Sequence, residues 1–268
     1  MGERVNDVDL TLLMKNGTDM HSYQPSVDDI IRISDADLFI YVGGESDEWV
    51  EDALKGASGR ALNLMETLGD ALREETPLPG MEPEDEEETA YDEHIWLSLP
   101  NALACCRTIG ECLESMGVVS RRESGADEYG AELLDLHSRY QEAVQNAPLK
   151  TVLFADRFPF RYLTDDYGLQ VYAAFQGCSA ETEASFETVA FLASALDELS
   201  LPAVLTTESS DGKLAQTIIR TSARPGTPVL SLNSMQSVTE ADIASGTEYL
   251  SVMEANLDVL SSALGLTA

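Results

Sequence analysis

The chain has 268 residues, of which 44% are hydrophobic and 7% aromatic, a balance that supports a buried core and excludes a disordered chain. It carries 48 Asp and Glu against 16 Lys and Arg, for a formal net charge of −32. A surface this acidic repels nucleic acid and anionic lipid headgroups, and no run approaches the ~20 apolar residues needed to cross a bilayer.

The opening MGERVNDVDL is polar and acidic and reads as mature protein rather than as a secretory leader. Residues 8–14, VDLTLLM, read as a strand, followed by the polar turn KNGTD. Ser26 is the expected N-cap of the next helix, with Asp28 and Asp29 in its first turn and Ile30, Ile31 and Ile33 on its apolar side. LFIYV at 38–42 reads as a buried strand stopped by Gly43 and Gly44. Residues 47–72 read as helical, with Trp49, Val50, Leu54, Leu62 and Leu64 facing the core. Residues 73–93 combine three prolines with a dense run of carboxylates and read as a mobile loop. IWLSLPNALACCRTIGECLESM then opens like a strand and continues as a helix, and residues 125–145 form one long amphipathic helix.

The second half starts afresh with the strand TVLFAD, a helix around 158–166 and the strand LQVYAAF. SAETEASFETVAFLASALDEL follows as a helix, with Ser179 as N-cap and Glu181 and Glu183 near its positive end. PAVLTTE, GKLAQTIIRTSA, TPVLSLN and EYLSVMEANLDVLSSAL complete a strand, helix, strand, helix series. This alternation predicts an α/β fold: two lobes with parallel sheets flanked by helices, joined by one long connecting helix. The expected boundaries are an N-terminal lobe over 1–123, the connecting helix over 124–147 and a C-terminal lobe over 148–268. A ligand cleft is expected between the lobes, at the carboxyl ends of the strands.

The four cysteines show no metal-ligand spacing and read as small buried apolar residues, with a disulfide to Cys178 left open. The three histidines are His21, His94 and His137. His21 and His94 stand at loop-to-element junctions, where binding residues concentrate, whereas His137 lies mid-helix. The sequence has no GxxxxGK[ST] phosphate loop, no GxSxG elbow and no HExxH, so nothing in it points to an enzyme.

The run DLTLLMKNGTDMHSYQPSVDDIIRISDADLFIYVGGESDEWV resembles the metal-binding solute receptors of zinc and manganese ABC importers, whose turn has the form PGxDPHxYEPTPxD. DEHIWLSLPNA is similar to that family's DPHxWLSPxNA, and DYGL, ESSDGKLAQTI and YLSVMEANLDVL extend the resemblance over nearly the whole chain. The resemblance implies that His21 and His94 take the first two metal-ligand positions, a chemically sound pairing because neutral imidazole suits Zn²⁺ and tolerates Mn²⁺. His137 matches no ligand position. The family's third ligand opens HDAFxY or EGAFxY. Aligning FADRFPFRY on Phe160 and Tyr162 puts Arg157 there, and a guanidinium has no lone pair to give. The adjacent Asp156 is the substitute, with a carboxylate paired to Arg157 as the rival reading. For the fourth position, in LSLNSMQSVTE, Asn233 and Gln236 can offer only amide oxygens, and Glu208 reads as mainly structural.

The implied activity is therefore capture of Zn²⁺, or alternatively Mn²⁺, between two lobes and delivery to a membrane ABC permease from an extracytoplasmic position. A receptor with weakened metal binding that serves as a surface adhesion or interaction module is the alternative. A metallohydrolase ranks third, because it needs an open coordination position and a general base. Family members open with a further strand and helix, so the first βα unit is expected to be missing here. The carboxylates of 73–93 stand where many zinc receptors carry a histidine-rich loop.

Overall fold

The computed structural model describes residues 8–14, 17–81, 90–118, 125–177 and 183–266. The chain divides into two compact units. One is built from Met1–Leu72, Ile95–His137 and Gln236–Gly246, the other from Arg73–His94, Ser138–Met235 and Thr247–Ala268.

In the first unit, helix α1 (Val27–Asp35) starts where the sequence predicts. Ser26 Oγ accepts from the Asp29 N–H at 3.2 Å, and Asp29 Oδ2 accepts from the Ser26 N–H at 3.0 Å. This capping box satisfies two helix-end amides and is worth about 1 kcal/mol. Ile33 buries the apolar face, and strand β1 (Leu38–Tyr41) follows.

Helix α2 covers only Trp49–Leu54. The single helix expected over 47–72 is thus corrected: the chain turns at Gly56–Gly59 and returns as strand β2 (Arg60–Asn63), then helix α3 (Leu64–Leu68). β2 lies parallel to β1, from Leu38 opposite Arg60 to Tyr41 opposite Asn63. The close approach needs a glycine, because a Cβ on Gly59 would lie 2.0 Å from the Ala36 carbonyl oxygen. Of the expected core residues Val50 is buried, while Trp49, Leu54, Leu62 and Leu64 are half-buried and Met65 and Leu68 fill the interior.

Residues 8–14 do not form the expected strand; Leu10 is 76% exposed. Alternation alone does not make a strand, which needs a neighbouring ladder to satisfy its backbone. IWL, expected to open as a strand, is a 3-10 turn with Ile95 and Leu97 buried. It leads into α4 (Leu99–Ser115), whose first turn holds Pro100 and whose N-cap Ser98 accepts from the Asn101 N–H at 3.1 Å. Helix α5 (Ala126–Asn146) contains the division between the units, at His137 and Ser138.

The second unit holds a four-stranded parallel sheet in the order β4-β3-β5-β6. Its strands are β3 (Thr151–Phe158), β4 (Gln170–Gln176), β5 (Val204–Thr207) and β6 (Val229–Leu232). Helices α6 (Arg161–Asp166), α7 (Phe186–Glu198) and α8 (Lys213–Thr221) make the crossovers that parallel strands require. Leu153, Phe175, Leu192, Leu196, Val204 and Ile218 form the core between the sheet and α7 and α8. α7 is capped by Ser185 rather than by the expected Ser179, which lies with Glu181 outside the described residues. A short α9 (Glu240–Ala244), which the sequence reading did not anticipate, belongs to the first unit. In α10 (Tyr249–Ala263), Met253 is fully buried and its carbonyl accepts from the Tyr140 hydroxyl at 2.6 Å.

The mobile loop expected over 73–93 is corrected for its described parts, 73–81 and 90–93. Glu75 N–H donates to Ala90 O and Asp92 N–H to Arg73 O, both at 2.8 Å, so the two ends of the segment pair with each other. Pro79 O accepts from the Ala173 N–H at 3.2 Å, which occupies the open edge of β4. The carboxylate run at 82–89 lies outside the described residues.

Cys105, Cys106 and Cys112 are free thiols, and burial pushes Cys105 up to about 11, far from a reactive thiolate; Cys178 lies outside the described residues. No described helix is long and apolar enough to cross a membrane.

Gly59→Ala should destabilise the protein by about 3 kcal/mol, because backbone rather than a flexible side chain must yield. Urea denaturation measures this, and a loss below about 0.5 kcal/mol would mean that the β1–β2 approach is looser than described.

Candidate metal centre

The two histidines of interest share a local design. Each follows an aspartate by two residues, Asp19-Met20-His21 and Asp92-Glu93-His94. In each case the aspartate Oδ1 accepts from the histidine N–H, at 3.1 Å for His21 and 2.8 Å for His94. Short carboxylates favour this bond two residues along, and it fixes where the imidazole leaves the backbone.

In the first unit, His21 is half-buried on a 3-10 turn. Its Nδ1 lies 2.8 Å from Ser46 Oγ, on the turn after β1, and its Nε2 lies 3.0 Å from the Gln236 amide nitrogen. An amide NH₂ can only donate, so Nε2 is the accepting nitrogen and Nδ1 carries the proton, donating to Ser46. His21 and Gln236 are thus brought together, and the nitrogen facing the amide is the one with a free electron pair.

In the second unit, His94 is fully buried. Its Nδ1 lies 2.9 Å from Asp92 Oδ1, the same oxygen that takes its backbone N–H. A carboxylate oxygen accepts the ring proton, so Nδ1–H is again the tautomer and Nε2 holds the lone pair. The ring lies against Gly177, where a Cβ would sit 3.0 Å from His94 Cε1 and 3.0 Å from Phe158 O. The Gly177 N–H donates to Glu75 Oε1 at 2.7 Å. Tyr162 Oη donates to Asp92 O at 2.8 Å, and burial pushes this phenol up to about 12, so it keeps its proton.

Asp156 sits where β3 slips register between Phe154 and Arg157. Its Oδ2 accepts from Thr207 N at 3.0 Å and Thr207 Oγ1 at 2.7 Å, and its Oδ1 from Arg157 N at 2.8 Å. The carboxylate therefore replaces a β3–β5 backbone bond that the bulge removes. Both oxygens are engaged, although each keeps a second lone pair.

Glu208 accepts from Ser234 N at 2.8 Å and Ser234 Oγ at 2.9 Å. Asn233 is held through its backbone by Asn256, and its Oδ1 accepts from the Met235 N–H at 2.8 Å. These two side chains fix the loop after β6, in which Met235 has a strained φ of 59°. His137 is half-buried on α5.

Among the described residues, no group of three or more His, Cys, Asp and Glu side chains stands ready to hold a metal ion. A cavity of about 390 Å³ in the second unit, lined by Leu78, Pro79, Phe158, Arg161, Thr164 and Tyr172 among others, contains none of the candidate ligands. The sequence reading missed Ser46, Asp92 and Arg161. Asp92 had a readable signal, the D-x-H spacing it shares with Asp19; Ser46 is brought to His21 by the fold alone.

The parallel α/β units and the paired imidazoles define a solute-binding protein of the metal-receptor class. Residues 3–263 match the family described as zinc-uptake complex component A, periplasmic, and the chain belongs to this family of solute-binding proteins, which are not enzymes. It is 30% identical over 259 residues to the zinc-binding lipoprotein AdcA of Streptococcus pneumoniae, covering 93% of this chain and 50% of AdcA. The chain therefore spans about half the length of AdcA. Among solved structures it is similar to the metal-dependent lipoprotein YcdH of Bacillus subtilis, with a TM-score of 0.80 and 26% identity over 99% of this chain and 94% of that one. It is also similar to the Zn(II)-bound ZnuA-like domain of S. pneumoniae AdcA, with a TM-score of 0.75 and 27% identity over 98% and 93% of the two chains.

Thr207→Val removes the hydroxyl that donates to Asp156 and should cost about 1–2 kcal/mol in urea denaturation. An unchanged midpoint would mean that Asp156 does not tie β3 to β5.

Proposed function

We propose that this chain is the extracytoplasmic zinc-capturing subunit of an ABC importer, which binds one Zn²⁺ and hands it to a membrane permease. The observation that carries this reading is the shared protonation pattern of His21 and His94. Each donates through Nδ1, to Ser46 and Asp92 respectively, and so keeps Nε2 as a ligand atom. A metal-binding imidazole needs this arrangement, because the second hydrogen bond orients the ring and raises its basicity. Family membership and the zinc-bound relative support the same cargo.

The proposed ligands are His21 and His94 through Nε2, with Asp156 as the carboxylate. Gln236 can turn its amide oxygen toward the ion in place of the hydrogen bond that it now donates to His21. Glu208 and Asn233 act one step back, by holding the loop that leads to Gln236. Two nitrogen ligands favour Zn²⁺ over Mn²⁺, which prefers oxygen-rich sites. Because imidazole must be neutral to bind metal, affinity falls as the solution is acidified.

Competition with a chromophoric chelator tests this directly. His21→Ala and His94→Ala should each weaken Zn²⁺ binding by at least about 100-fold, whereas His137→Ala should leave it unchanged. Zinc at 100 times its dissociation constant should stabilise the wild type by about 2.7 kcal/mol. Wild-type affinity in both alanine variants would end the proposal.

A further inference from the structure

Helix α6 carries a buried cation that the zinc site as proposed does not use. Arg161 is 7% exposed. Its Nη1 donates to Thr76 Oγ1 at 3.1 Å and its Nη2 to the Thr76 carbonyl. Its Nε lies 3.8 Å from Asp92 Oδ2, and neither of these two buried atoms has a hydrogen-bond partner. They therefore interact as charges across a short gap.

The next residue, Tyr162, holds the Asp92 backbone through its hydroxyl, which also accepts from the Arg73 N–H at 3.1 Å. Two consecutive side chains of one helical turn thus grip Asp92, one by its carbonyl and one by its carboxylate. Burying a guanidinium and a carboxylate costs several kcal/mol in lost hydration, so the pair is a poor route to stability. What it secures is direction. With Oδ2 drawn toward Arg161, Oδ1 is left facing His94 N and Nδ1, at 2.8 and 2.9 Å.

We infer that Arg161 is a positioning residue for His94. Its charge fixes the rotation of Asp92, Asp92 fixes the proton on His94 Nδ1, and His94 Nε2 is thereby committed to metal. The inference rests on His94 being a zinc ligand. Without the guanidinium the carboxylate is free to rotate, and the ring can carry its proton on either nitrogen.

The test uses Arg161→Gln and Arg161→Lys in the full chain, with His94→Ala as reference. Chelator competition reads the Zn²⁺ dissociation constant, and long-range ¹H–¹⁵N correlation of the metal-free protein reads the His94 tautomer. In the wild type and in Arg161→Lys, which keeps a charge beside Asp92, His94 should be a single Nδ1–H tautomer, with affinities within about threefold of each other. Arg161→Gln should show mixed tautomers and bind zinc about 10- to 100-fold more weakly, the usual effect of losing an outer partner of a ligand. A lower melting temperature in Arg161→Gln with wild-type affinity and an unchanged tautomer would overturn the inference, leaving Arg161 as a fold element only. If Arg161→Gln does not fold, Arg161→Lys carries the test: one tautomer with wild-type affinity supports the inference, and mixed tautomers with wild-type affinity refute it. If His94→Ala itself binds zinc normally, the proposed site fails. If His94→Ala loses zinc while Arg161→Gln keeps it, only the positioning role fails.

Discussion

The proton on Nδ1 of an imidazole decides which nitrogen can meet a metal ion, and the proposed site depends on where that proton is held. In His94 it is directed into the Asp92 carboxylate, and in His21 into the Ser46 hydroxyl. The two rings reach the same state by different means. For His94 the partner lies two residues back, so one aspartate serves both the backbone amide and the ring. For His21 the aspartate two residues back serves only the amide, and the ring partner comes from the turn after β1. The less local arrangement depends more on how the first unit folds.

The second unit shows how a sheet can be bent to present polar groups without losing its core. β3 is a central strand, with Val152, Leu153, Phe154 and Ala155 buried in succession, until its register slips before Arg157. The slip leaves a gap in the ladder to β5, and Asp156 closes it by accepting from Thr207. A carboxylate at the end of a central strand is then held by the same bonds that hold the sheet. The segment 73–94 lies across the open edge of β4 and carries Glu75, Thr76, Asp92 and His94 on a backbone that pairs with itself. An edge that would otherwise invite another strand becomes the platform for a ligand.

Much of this architecture is legible in the chain because it is local. The Ser26 cap, the long helix near 126–146 and the strand–helix alternation of the second half follow from capping residues and apolar spacing within a few turns of chain. The misreadings share a cause. The stretch 47–72 has helical spacing, but Gly59 allows the chain to approach Ala36, and β2 exists only because β1 is there to pair with it. VDLTLLM alternates as a strand should, yet has no ladder to join. The segment 73–93 is too polar to fold alone and becomes ordered, over its described parts, by pairing at its ends and with β4. In each case the deciding partner is remote in sequence. The candidate histidines were readable from their resemblance to a family, and the D-x-H spacing is its physical content. The role of Arg161 was not readable, because it depends on an aspartate far from it in the chain.

X-ray absorption at the zinc edge of the protein loaded with one equivalent of Zn²⁺ tests the central claim most directly. The chain has only three histidines, so the number of imidazoles in the first shell is easily interpreted. The account predicts two imidazole nitrogens at about 2.0–2.1 Å, with outer-ring scattering, and oxygen completing the shell. A shell of oxygens alone, as binding to the acidic surface would give, or one containing sulfur, would contradict it.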